Sequence, residues 1–93
     1  MPTLSVVIPA YNEAHHIDKC LSALSEQIEY IDEIIIVDNN CTDATAEKAL
    51  TYPKVRVVPE PRQGITYARY TGFESASGDI IARTDADSIA KPG

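Results

Sequence analysis

The feature that most constrains this chain is a repeated switch between two hydrophobic periodicities. Leu4–Ile8 and Glu33–Val37 are short runs whose apolar, largely β-branched residues fill both faces, the pattern of strands buried on both sides. Between them, Ile17, Cys20, Leu21 and Leu24 recur at the i, i+3, i+4, i+7 spacing of a helix running from Asn12 to about Gln27. Pro9, which lacks a backbone N–H, is expected to stop the first strand, and Asn12 to cap the helix. The alternation then continues. Thr42 or Asp43 is expected to cap a short alanine-rich helix through about Leu50, ended by Pro53. Val55–Val58 reads as a third strand. Gly64 to about Ser77 reads as a helix with Ile65, Ala68, Gly72, Phe73 and Ala76 on one side, and Asp79–Thr84 as a fourth strand. Connections this short suit parallel strands with right-handed crossovers. The prediction is one α/β domain over residues 1–93, an open parallel β-α-β-α-β-α-β sheet with strand order 3-2-1-4.

Composition narrows the class of partner. With 44% hydrophobic and 24% charged residues, the chain matches a folded globular domain and not a disordered one. Its longest apolar runs, Val6–Ile8 and Ile34–Val37, are far too short to span a bilayer, and the N-terminus predicts no signal peptide. A net charge of −6 argues against a nucleic-acid backbone as the main partner. The charge is skewed, however, because all four arginines fall between Arg56 and Arg83. Cys20 and Cys41 form neither a disulfide framework nor a metal spacing, so both are expected as reduced thiols in the cytoplasm. His15 and His16 are adjacent on a helix, face different directions and are read as surface residues.

In an open parallel sheet, ligands bind beyond the carboxyl ends of the strands where the strand order reverses. Three such ends are polar here: Pro9-Ala-Tyr-Asn-Glu13, Asp38-Asn39-Asn40 and Asp85-Ala86-Asp87. With the order 3-2-1-4 they belong to neighbouring strands and converge. Asp85 and Asp87 project to one side of an extended strand end, where two carboxylates call for a compensating cation. A hard divalent ion sharing those carboxylates with substrate phosphates fits that need. An Asp-x-Asp alone carries little weight, since seven aspartates produce one by chance in roughly half of such chains. Its place at the sheet's ligand edge gives it meaning. Asp38 either turns the chain or accepts hydrogen bonds from a ribose or base. Tyr11 offers a stacking face, and Glu13 either caps its helix or reaches a ribose. Arg62 and Arg69 are candidates for a phosphate or for solvent. Arg83 is either an ion-pair partner of the aspartates or an edge-strand charge.

Ser5-Val-Val-Ile-Pro-Ala-Tyr-Asn-Glu13, Ile36-Val-Asp-Asn-Asn-Cys-Thr-Asp-Ala-Thr45, Ala68-Arg-Tyr-Thr-Gly72 and Asp85-Ala-Asp87 occur together and in this order. The chain thereby resembles the N-terminal, nucleotide-sugar-binding half of a family 2 glycosyltransferase with the GT-A fold. That resemblance implies transfer of a sugar from a nucleotide-diphosphate donor to an acceptor hydroxyl, with inversion. It implies that Pro9, Ala10, Tyr11 and Glu13 hold the nucleotide and that Asp38 meets its base or ribose. It further implies that Asp85 and Asp87 bind Mn²⁺ or Mg²⁺, with Asp85 also on the nucleotide, and that Arg69 approaches the phosphates. Tyr70, Cys41 and Arg83-Thr84 depart from the family's usual residues. The acceptor-binding half that carries the family's general base is expected to be absent from residues 1–93, and membrane association of the longer parent is left open.

Three other classes share this alternation of strands and helices. A nucleotidyltransferase of related fold would want a glycine-rich phosphate loop after the first strand, and Pro9–Glu13 contains no glycine. A phosphatase-like domain would want its Asp-x-Asp after the first strand, whereas here it follows the fourth. A non-catalytic nucleotide-binding or interaction module is the remaining alternative. The fourth strand, left as an edge, is expected to favour a homodimer.

Overall fold

A computed structural model of the chain describes residues 2–84. In chain order they form β1 (Leu4–Ala10), α1 (Ala14–Ser25), a single 3-10 turn (Ile28–Tyr30), β2 (Glu33–Asp38), α2 (Thr45–Ala49), β3 (Val55–Pro59), α3 (Ile65–Ser75) and β4 (Ile80–Arg83). All strand pairs are parallel and the sheet order is β3-β2-β1-β4, as the sequence predicts. Strand alternation divides the core between two faces. Val6, Ile8, Ile34 and Ile36 face α1, where they pack with Ile17, Cys20, Leu21 and Leu24. Val7, Ile35 and Val37 face the other way and pack with Ala68 of α3.

Several boundaries differ from expectation, each for a local reason. Pro9 does not end β1; it pairs in register with Val37 and is followed by Ala10 opposite Asp38. Successive residues of a parallel strand address opposite neighbours. The Val7 carbonyl accepts from Thr84 N–H on the β4 side, and the Ala10 carbonyl from Asn39 N–H on the β2 side. Pro9 therefore lacks its donor on the β4 side, where the described pairing has already stopped at Val7.

Asn12 does not cap α1. It adopts a left-handed conformation with φ of 50°, which asparagine tolerates, and its side-chain oxygen accepts from Thr42 N–H at 2.7 Å. Glu13 takes the cap position, its carbonyl accepting from the N–H groups of His16 and Ile17. Likewise Ala44, not Thr42 or Asp43, precedes α2. Asp43 serves from one residue further out, accepting from Thr45 N–H at 3.0 Å and from the Thr45 hydroxyl.

Helix α3 meets the sheet through small residues. Ala68 and Gly72 are buried, while Ile65 and Phe73, expected on the same side, are exposed. A β-carbon on Gly72 would lie 2.2 Å from Val7 Cγ1, so glycine sets how closely helix and sheet approach. At the opposite edge, the Ser5 hydroxyl accepts from Gly78 N–H at 2.8 Å and donates to Glu33 at 2.5 Å. Glu33 also accepts from Ser77 N–H at 2.7 Å and from Arg56 at 3.1 Å, which fastens the α3–β4 turn to β1 and β2.

Candidate functional site

An open cleft of about 390 Å³ lies at the carboxyl edge of the sheet. Pro9, Ala10, Tyr11 and Glu13 form one wall, Gln63, Gly64, Ile65, Ala68 and Arg69 the other, and Asn39 lies between them. The structure thus brings together five residues singled out from sequence: Pro9, Ala10, Tyr11, Glu13 and Arg69. Tyr11 is 52% exposed, and an exposed aromatic ring at a cleft wall is a group on which a base can stack. Asp38 ends β2 beside the cleft but does not line it, and its carboxylate accepts from Cys41 N–H at 2.8 Å. Asp85 and Asp87 lie outside the described residues. Among the described residues, no trio of His, Cys, Asp and Glu side chains is gathered to hold a metal ion.

The β1 wall is held from beneath. Glu13 N–H donates to the Thr45 hydroxyl at 2.9 Å, and Asn12 N–H donates to Cys41 Sγ at 3.3 Å. Burial pushes the Cys41 thiol above its ordinary pKa, keeping it protonated, and its S–H donates to the Ala10 carbonyl at 3.4 Å. Hydrogen bonds from the Thr45 hydroxyl, then from the backbone, hold Asp43 below the usual carboxylate range. These groups act as fasteners. They fix where β1 ends and where α1 begins.

The α3 wall follows from a short loop, residues 60–64. Glu60 is buried, and its carboxylate receives the Arg62 side chain at 2.7 Å, the Arg62 N–H at 2.8 Å and the Thr71 hydroxyl. The Arg62 and Thr71 hydrogen bonds lower its pKa to about 2. Arg62 is therefore committed to Glu60, with its guanidinium 4.7 Å from the Tyr67 ring centre. Arg69 differs. Its Nε is cut off from solvent and has no hydrogen-bond partner among the described residues. A buried donor left unpaired is costly, and in a cleft wall it marks where an anionic oxygen would be welcome.

Sequence reasoning did not single out Asn39, Gln63, Gly64, Ile65 or Ala68 as site residues. Asn39 and Ala68 carried usable signals, the first by its place directly after Asp38 at a strand end and the second by its place beside Arg69 in the Ala68–Gly72 segment. Gln63 and Ile65 carried none, because a loop's path across a sheet edge leaves no periodicity to read.

Strand order, crossover pattern and a cleft spanning the carboxyl ends of adjacent strands define a doubly wound α/β domain of the GT-A type. The chain belongs to glycosyl transferase family 2, whose model matches residues 5–93. It is 41% identical over 96 residues to the glycosyltransferase AglE of Haloferax volcanii, covering 94% of this chain and 31% of that protein. Among solved structures, the mannosyltransferase PcManGT of Pyrobaculum calidifontis, in complex with GDP-Man and Mn²⁺, is 35% identical with a TM-score of 0.82. That match covers 95% of this chain and 28% of the other. Glucosyl-3-phosphoglycerate synthase of Mycobacterium tuberculosis, solved with Mn²⁺, UDP and glucosyl-3-phosphoglycerate, is 31% identical with a TM-score of 0.81, covering 91% of this chain and 33% of that one. The chain spans about a third of the length of these relatives. Among the described residues, no helix is long and apolar enough to cross a membrane.

Proposed function

We propose that residues 1–93 are the donor-binding part of a glycosyltransferase that takes a nucleotide-diphosphate sugar together with Mn²⁺ or Mg²⁺. The parent enzyme passes the sugar to an acceptor hydroxyl with inversion. The observation that carries this reading is the buried Nε of Arg69, without a partner among the described residues, in a cleft at the carboxyl edge of the sheet. It supplies the charge-assisted donor that a diphosphate needs. Tyr11 stacks on the base, Asp38 or Glu13 accepts from the base or ribose, and Pro9 and Ala10 complete the wall beside them. Asp85 and Asp87 would hold the divalent ion, which would supply charge neutralisation to a diphosphate leaving group. The general base that deprotonates the acceptor is assigned to no residue of this chain.

Titration calorimetry with UDP, GDP and dTDP, each with Mn²⁺ and with EDTA, tests the reading. One nucleoside diphosphate should bind, and more tightly with Mn²⁺. Asp87→Ala should abolish the gain from metal while leaving the circular dichroism spectrum unchanged. Equal affinity in Mn²⁺ and in EDTA would sink the metal assignment, and absence of binding by all three would sink the donor site.

A further inference from the structure

The loop between β3 and α3 supplies part of one cleft wall, yet it belongs to no strand or helix. Asn39 is what ties it down. This side chain is only 3% exposed, and its Nδ2 donates to the Glu60 and Arg62 carbonyls, both at 2.8 Å. Its Oδ1 accepts from Gly64 N–H at 3.0 Å. Both amide protons are thus spent on the loop, and none remains to offer a nucleotide, although Asn39 borders the cleft. Its own backbone N–H donates to the Ala10 carbonyl at 2.9 Å, joining the same residue to the opposite wall.

The path onward is short. Gly64 has φ of 132°, a conformation that residues with a β-carbon rarely adopt, and Asn39 Oδ1 holds it there. The Gly64 carbonyl accepts from Ala68 N–H at 3.1 Å, opening the first turn of α3. Arg69 is the next residue. We propose that Asn39 is a positioning residue for donor binding: its carboxamide latches residues 60–64 in the shape that aims the start of α3, and Arg69 with it, across the cleft at Pro9–Tyr11. This role rests on the donor-site reading above. The contact is made through the loop, not with the ligand.

Amide exchange and calorimetry on the whole chain test it together. In the unsubstituted chain the Gly64 amide, half-buried and bonded to Asn39, should exchange more slowly than the unbonded amides of an open loop. Asn39→Ala should speed exchange over residues 60–69 while α1 stays protected. It should also weaken the nucleoside diphosphate that binds in Mn²⁺ by about tenfold, the scale of one or two lost buried hydrogen bonds. Because Asn39 acts through Arg69, the double variant Asn39→Ala/Arg69→Ala should bind no more weakly than Arg69→Ala alone. Should Asn39→Ala fail to fold, Asn39→Asp keeps the volume and the acceptor for Gly64 but removes both donors, and the same loop-confined exchange and loss of affinity are expected. Additive losses in the double variant, unchanged affinity, or a fast Gly64 amide in the unsubstituted chain would each overturn the latch. Binding of neither UDP, GDP nor dTDP by the unsubstituted chain would remove the donor site and this role with it, even with the Gly64 amide protected.

Discussion

Arg69 shows at the scale of one residue how an unmet need becomes a binding site. A guanidinium nitrogen that is buried and, among the described residues, unpaired costs the free chain stability, and an anionic oxygen brought to it would offset that cost. Arg69→Met keeps most of the stem and removes the unpaired donor. Its urea midpoint should equal or exceed that of the unsubstituted chain, while its affinity for the bound nucleoside diphosphate falls by about 1.5–3 kcal/mol. The free nucleoside should bind the two proteins alike. A variant that loses stability and keeps its affinity would make Arg69 a structural residue. At this scale the sequence was only half legible. Arg69 stood out by its motif and by the clustering of arginines, and Arg62 looked equally available. What separates them is Glu60, which engages one guanidinium and not the other, a pairing that depends on how residues 60–64 turn.

Among the elements, strands were the most legible, because β-branched runs buried on both faces have few other uses. Their ends were less so. Pro9 reads as a stop, yet it costs β1 no pairing among the described residues, because its missing donor faces β4 beyond the last described pair, Val7 with Arg83. Helix α3 was legible in extent and misleading in facing, because Ala68 and Gly72 make the contact while the larger Ile65 and Phe73 lie outside.

The joint between elements at Glu33 carries a pH dependence. Burial alone would raise its pKa, but hydrogen bonds from Ser5, Ser77 and Arg56 outweigh it and bring the value down to about 2. A carboxylate whose pKa is depressed by folding stabilises the fold above its ordinary value of 4.5, and that contribution is lost as pH falls through about 2. Glu60, likewise brought to about 2, adds to the same acid window. The urea midpoint should therefore drop between pH 4.5 and pH 2. Glu33→Gln should be less stable at neutral pH and show a flatter drop; an identical slope would detach Glu33 from acid stability.

For the molecule as a whole, the edge strand on one side of the sheet, among the described residues, is β4, every residue of which is exposed, including Ile80 at 53% and Ile81 at 40%. A strand edge bearing apolar side chains invites pairing, and Arg83 offers a single charge against it. Sedimentation of the 93-residue chain at ~100 μM should show self-association that Ile81→Lys reduces. A monomer at that concentration would show the edge to be adequately guarded.

The two faces of that sheet are unequally filled. On the α1 side Val6, Ile8, Ile34 and Ile36 meet Ile17, Leu21 and Leu24, while on the α3 side Val7, Ile35 and Val37 meet chiefly Ala68 and the bare backbone at Gly72. With fewer large side chains holding it, the α3 face has less buried apolar contact to resist local opening. Amide exchange should therefore show the wall bearing Arg69 opening at lower free energy than the β1–α1–β2 unit; equal protection of the two would show the thinner packing to be sufficient.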